Sequence, residues 1–448
     1  MGNPGRTGWY FGWNIVAAAC MLTLLTVGMR MGMGPFFLPM ARDLGYSRSL
    51  LSAIVAIGML CYGLGMPLAG MLVNRHGTRF VLLAGTAIVV ASTLWTVLAR
   101  HPLNFFLAFG VALSIGLAFT SPVAMTPLLS RWFTRRRGMA LFFLSTGSMA
   151  GIAIMTPVFT WTIETFGWQH TLLGFAAVFT LVTVPIALLV VREDAPEHSD
   201  LLPEQIARRR DAASAGTGAG TGANAAATAT TAATAGAQPP RGTPAAAAPS
   251  ALQAMRSVPF WKIAGGLFAC GYSMNLLGTH GVPMLMDHGF DAMTSSLGIG
   301  LIGLVAIFST MVLGRLSDVL PRRSLLVAIY LIRGLGFFAL LAVGTHWELY
   351  AAATIGGIVW AGSIALSSAL LADLYGVRLV GILYGWAYLG HQIGAMISSW
   401  LGGWGYETFG THWVAFGSAG ALLLAAAAVA GTLPARSPMA GGLQPAGR

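Results

Sequence analysis

The chain has 448 residues, of which 56% are hydrophobic and only 9% charged, with a mean hydropathy of +0.73 and a net charge of +11. Soluble globular domains carry about 25% charged residues, so that class is excluded. The basic excess could suit nucleic acid, but the cations sit in short clusters between apolar segments, which is a topology signal and argues against that partner.

Twelve apolar stretches follow one another at 12–40, 48–70, 79–99, 104–129, 138–162, 169–191, 259–286, 293–313, 324–344, 348–372, 380–402 and 412–433. Each is long enough to cross a bilayer core of about 30 Å. The first is too long for a signal h-region and lacks a clear cleavage site, so it reads as a retained helix. Numbering the connections alternately puts Arg75, Arg79, Arg131, Arg135 to Arg137, Arg315, Arg322 and Arg323 on one side, and only Arg42, Arg48 and Arg100 on the other. The positive-inside rule makes the first side cytoplasmic, with both termini on it. Asp43, Glu164, Asp287, Asp291, Glu348 and Glu407 then fall outside. Lys262 is the one lysine, a composition that points to a GC-rich bacterial source and an inner (plasma) membrane. Cys20, Cys61 and Cys270 lie inside apolar stretches, without metal-ligand spacing, and read as packing residues.

Residues 193–257 break the pattern. After Arg208–Arg210 they become a run of Ala, Gly, Thr and Pro that cannot bury enough apolar surface to offset its ordering entropy. We expect a disordered cytoplasmic linker, with short helices flanking the run at 201–211 and 250–256, and a disordered tail at 434–448.

The two sides of the linker repeat each other. Gly70-Met-Leu-Val-Asn74-Arg75-His76-Gly77-Thr78-Arg79 returns as Gly314-Arg-Leu-Ser-Asp318-Val-Leu-Pro-Arg322-Arg323. In the same register, Asp43-Leu-Gly45 maps onto Asp287-His-Gly289. Gly147 and Gly151 map onto Gly390 and Gly394, and Glu164-Thr-Phe-Gly167 onto Glu407-Thr-Phe-Gly410. A six-helix unit used twice predicts two pseudo-symmetric lobes, 1–192 and 258–433, in an all-α integral membrane protein of twelve transmembrane helices.

Six plus six spans, a long central loop and these Gly-x-x-x-Asp-Arg-like loops resemble the major facilitator superfamily. Three further motifs resemble its branch of monocarboxylate porters and oxalate/formate exchangers: Trp9-Tyr-Phe-Gly12-Trp13, Arg131-Trp-Phe-Thr-Arg-Arg-Arg137-Gly138, and Thr279-His280-x-x-Pro283. The resemblance implies alternating access around a midplane cavity lined by stretches 1, 4, 7 and 10, together with 2, 5, 8 and 11, in a protein that usually works as a monomer. It also marks the two loops as cytoplasmic latches: Asn74, Arg75 and Arg79 in the first, Asp318 with Arg315, Arg322 and Arg323 in the second. Asn74 replaces the usual Asp and can only hydrogen-bond, which predicts a weaker first latch. Asp373, at the inner end of stretch 10, is a candidate gate partner.

Ionisable residues at membrane depth are costly and are site candidates by default. Arg30 lies where Gly28-Met-Arg-Met-Gly32-Met-Gly34-Pro35 should interrupt the first helix. It either grips an anion with its fork of donors or makes a structural pair. His391 stands where the first repeat has Ser148, so symmetry breaks near the midplane; it either binds substrate or a proton, or packs by a hydrogen bond. Gln392 is an adjacent donor. Asn275, Tyr272 and His280 extend the set along stretch 7, with His280 near the interface, and Ser145, Thr146, Thr120 and Ser121 complete it. Arg333, in a support helix, should have a structural partner. The set is neutral to positive, and no Asp or Glu lies deep in stretches 1, 4 or 5. It therefore suits a small organic anion, a carboxylate above all, moved with a proton or by exchange. An exporter of amphipathic compounds is the alternative, and a membrane sensor without transport is a third reading. No nucleophile–base pair, metal cluster or phosphate loop suggests an enzyme or a cofactor.

Overall fold

The computed structural model describes residues 10–133, 137–193 and 251–434, without the side chains of residues 137, 138, 318, 377 and 378. The proposed linker run, the helix expected at 201–211 and the tail thus lie outside the described residues. Those described are mostly helical, joined by short turns, with no strand among them. Lipid offers the backbone no hydrogen bonds, so a chain this apolar must satisfy its own amides locally.

We label the helices α1 (Gly12–Met31), α2 (Gly34–Leu44), α3 (Arg48–Leu98), α4 (Pro102–Trp132), α5 (Arg137–Pro185), α6 (Ala251–Met255), α7 (Val258–Asp287), α8 (Ala292–Val319), α9 (Arg322–Leu341), α10 (His346–Tyr375), α11 (Val377–Phe409) and α12 (Trp413–Gly431). Among the described residues, eight helices are long and apolar enough to cross a membrane. Two of them, α3 and α5, run on through a glycine with positive φ: Gly77 at φ 84° and Gly167 at φ 80°. Each therefore covers two apolar stretches joined by a sharp turn. Polar caps fix other starts. Ser47 accepts from Leu50 N, Asp291 from Thr294 N, and Thr345 and Glu348 cap α10 reciprocally.

Three helices are interrupted within the apolar region. The first stretch breaks at Gly32–Met33, as the Gly/Pro pattern predicts, because Pro35 has no amide to donate back along the helix. α4 breaks at Thr120–Ser121, where Ser121 is extended ahead of Pro122. α10 breaks after Ile358 and resumes at Gly362. The freed carbonyls are satisfied from neighbours. Thr26 Oγ1 donates to Thr120 O, and Arg333 donates to the Val359 and Trp360 carbonyls. Arg333 is thus the structural residue its support helix suggested.

The repeat is visible in the packing. α5 crosses α1 where Gly147 lies on Cys20 and Gly151 on Leu24 and Gly28. α11 crosses α7 where Gly390 lies on Ala264 and Gly394 on Phe268 and Tyr272. The partners are related by an offset of 244 and the glycines by one of 243. A Cβ at Gly151 or Gly394 would collide with backbone, so the small residues set the crossing distance. The halves meet along α3 on α11 and α5 on α8. Buried apolar clusters follow the halves with a few crossings: one lies from Ala254 on but takes in Met31, Met149 and Ile152, and two lie up to Val191, one of them taking in Ala395.

Gly167, at φ 80° and ψ 163°, occupies backbone space that is essentially glycine-only, and a Cβ there would meet only Gln169 within 4 Å. Gly167→Ala should therefore destabilise by about 1–3 kcal/mol from backbone strain alone. Denaturant unfolding in detergent measures it, and an unchanged midpoint would refute the assignment.

Candidate functional site

The interruption after α1 places Arg30 in the last helical turn, where a cation also meets the helix dipole favourably. Its side chain runs inward and is only 9% exposed. Arg30 Nη2 donates to Asn275 Oδ1 at 2.8 Å and to Gln392 Oε1 at 3.0 Å. The guanidinium lies 4.4 Å from the centroid of the Tyr62 ring. Residues from α1, α3, α7 and α11 thus converge, with both halves contributing. Asn275 Nδ2 donates to Gly271 O, which holds the amide in place. Gly271 in turn rests against the His391 backbone, so α7 and α11 touch at the level of the cluster.

His391 is 1% exposed and stacks on Tyr388, with ring centroids 4.7 Å apart and planes 10° apart. Neither of its ring nitrogens has a hydrogen-bond partner, nor do Arg30 Nε and Gln392 Nε2. Among the described residues no carboxylate lies within ion-pair distance of Arg30. A buried cation without a counter-ion, ringed by idle donors and acceptors, is energetically anomalous. A narrow cavity opens beside it, lined by Met29, Met33, Met59, Phe109 and Leu113.

Other candidates lie elsewhere. Tyr272 turns away and bonds Ser418 on α12 at 2.7 Å. His280 is buried rather than interfacial, and its Nε2 contacts Ser399 O at 2.8 Å and Ser52 Oγ at 3.5 Å. Ser148 is half-buried, as is Thr146, and Ser145 is exposed. Of the loop residues, Asn74, Arg75 and Arg315 are exposed. Arg79 donates to Ala187 O and Val191 O, while Glu193 accepts from the amides of Thr78 and Arg79. Arg322 pairs with Asp373 at 2.6 Å, and Arg323 donates to Leu433 O. These contacts stay within one half each, and the Asp318 side chain lies outside what is described. Tyr62 and Tyr388 escaped the sequence reading. Tyr388 was findable, since it precedes His391 by three residues and shares its helix face.

Replacing Asn275 by Leu deprives the buried guanidinium of an acceptor. Hydrogen bonds to charged groups contribute about 1.5–3 kcal/mol, and Asn275→Leu should lose an amount in that range. Adding Arg30→Leu should restore part of it, because no orphaned charge then remains. Denaturant midpoints of the parent, the single and the double variant decide; a double variant weaker than the single would count against the coupling.

The fold agrees with relatives. The profile of the Major Facilitator Superfamily matches residues 19–343 and 263–448. The uncharacterized MFS-type transporter YcxA of Bacillus subtilis (strain 168) is 25% identical over 384 residues, 82% of each chain. Monocarboxylate transporter 3 of Rattus norvegicus is 32% identical over 174 residues, 38% of this chain and 34% of that one. Monocarboxylate transporter 11 of Homo sapiens is 28% identical over 188 residues, 42% and 39%. The match thus spans about a third to two-fifths of the monocarboxylate transporters' length. A crystal structure of a bacterial homolog to the human lysosomal transporter Spinster, inward-facing and unoccupied, superposes with a TM-score of 0.60 at 17% identity, covering 96% of this chain and 95% of that one. The chain belongs to the major facilitator superfamily, near its monocarboxylate branch, and is a multi-pass membrane transporter rather than an enzyme.

Proposed function

We propose that the protein carries a small organic anion, a carboxylate, across the membrane by alternating access of two six-helix lobes, twelve spans in all, with both termini cytoplasmic. The observation that supports this reading is the buried Arg30 guanidinium, held by Asn275 and Gln392 but without a counter-ion among the described residues. A substrate carboxylate supplies the missing charge and accepts a short charge-assisted bond from Nε. The idle nitrogens of His391 lie on the next residue from Gln392 and offer a second contact or a proton-carrying group. Since both halves hold the cluster, rocking them makes and breaks it, which couples binding to access. The names of the monocarboxylate transporters support the substrate class. The methionine-lined cavity beside Arg30 favours a second reading, export of amphipathic molecules on an adaptable apolar surface.

Thermal unfolding of detergent-purified protein against a panel of small carboxylates and amphipathic drugs separates the two. A ligand at 100 times its Kd adds about 2.7 kcal/mol of stability. We expect stabilisation by a carboxylate, abolished by Arg30→Gln and weakened by His391→Ala. Stabilisation by lipophilic compounds alone, unchanged in both variants, favours the exporter. Uptake into vesicles should also accelerate with acid on the donor side and lose that response in His391→Ala; equal rates with and without the gradient would remove the proton.

A further inference from the structure

Away from the central cluster, polar contacts between the halves gather at one end of the bundle. Arg48, in the first turn of α3, grips Asp287 at the end of α7 with two bonds, Nη1 to Oδ2 at 2.6 Å and Nη2 to Oδ1 at 3.0 Å. Asp287 Oδ2 also accepts from His412 Nε2 at 2.9 Å, just ahead of α12. The Arg48 guanidinium lies 4.1 Å from the centroid of the Tyr406 ring, and that ring stacks on His412 at 4.4 Å. Beside it, Ser49 N donates to Glu407 Oε2 at 2.7 Å. The α3 residues belong to the first half and all their partners to the second.

A second, uncharged layer lies beneath. Ser52 meets His280, and Gly402 and Gly403 of α11 lie on the His280 ring and on the Arg48 carbonyl and Ser52 side chain. A Cβ at either glycine would collide: bare Gly403 lets α11 close onto α3, and bare Gly402 makes room for the His280 ring of α7. At the opposite end, Arg79, Lys262, Arg322 and Arg323 all bond within their own halves.

We infer that Arg48, Asp287, Glu407 and His412 form a gate that locks the two halves together and shuts the central path at this end. The inference rests on the alternating-access reading. Bidentate Arg–carboxylate geometry is the strong form of ion pair, and these side chains are only 23% and 17% exposed, so water screens them little. Burial works to raise the Asp287 carboxyl, which lies just past the apolar stretch, but hydrogen bonds from His412 and Arg48 and the Arg48 charge outweigh it. They hold the group at about 2. Its charge is therefore kept throughout physiological pH, and motion rather than protonation must open the pair. The cost of separating the charges biases the protein towards the arrangement seen here. Neutralising one partner leaves less to separate and favours opening.

The test uses the full chain in lipid vesicles, with Cys20, Cys61 and Cys270 replaced by Ala and Thr279→Cys as reporter. Thr279 is fully buried, one turn beyond Asn275 on the same face of α7, beneath the gate. A membrane-impermeant maleimide is added on the side bearing Arg48. The parent should label slowly, and Arg48→Gln and Asp287→Asn several-fold faster. The exchanged pair, Arg48→Asp with Asp287→Arg, should return towards the parent rate. Glu407→Gln, which leaves the Arg48 pair intact, should show a smaller increase and guards against a variant that merely misfolds. Parental rates in the single variants, or no slowing in the exchanged pair, would overturn the gate. Labelling needs no substrate, so failure of the carboxylate reading would show in the ligand panel and leave this result untouched.

Discussion

A bilayer offers no hydrogen bonds, and the breaks in α4 and α10 answer to that constraint. α4 breaks ahead of Pro122 and α10 after Ile358, and each break has a donor waiting. Thr26 reaches the Thr120 carbonyl, and Arg333 reaches the two carbonyls that end the first part of α10. The guanidinium is a costly group at this depth, but it serves both carbonyls and faces the Trp360 ring as well. Buried polar residues here thus differ in what they serve: some complete the backbone, even where one atom is idle as at Arg333 Nε, and others meet across the halves. Arg333 belongs to the first group. Arg30 and Gln392 belong to the second, and these two and His391 have idle atoms as well.

The duplicated architecture supplies the frame for that difference. Equivalent glycines on α5 and α11 bring equivalent helices, α1 and α7, to the same close approach in both halves. On this symmetric frame the polar residues are not symmetric. The first half contributes a cation, and the second contributes amides and an imidazole with its aromatic support. On the proposed carrier reading, a cluster assembled from unlike halves is disrupted when the halves move apart, the property such a reading requires. The two ends of the bundle differ in the same spirit. One end carries contacts across the halves through Arg48, Asp287 and Glu407, whereas the basic loops at the other end fasten each half to itself.

Much was legible beforehand because it depends on local pattern. Apolar runs of membrane length, the interruption near Gly32 and the glycine spacing on α5 and α11 are properties of neighbours along the chain. Arg30, Asn275, Gln392 and His391 could be nominated because an ionisable or amide group at membrane depth is conspicuous wherever it points. What could not be read was direction. Tyr272 is on the same helix as Asn275 but turns to Ser418, and His280 is buried between the halves rather than at an interface. Along the chain Arg48 reads as a charge on one side and Asp287 as that and a repeat match, and nothing local pairs them. Arg322, expected to serve the Asp318 loop, is held by Asp373.

By itself, then, the sequence determined that this is a duplicated, all-helical membrane protein with a sparse set of intramembrane polar groups, because hydropathy and repeat register are written along one dimension. Only the tertiary structure decided which of those groups meet. Arg30 lies 245 residues from Asn275 and 362 from Gln392, and Arg48 lies 239 from Asp287. Contacts at such separations depend on how two lobes are rotated and pressed together, and that rotation is set by the summed packing of whole helices rather than by any local signal.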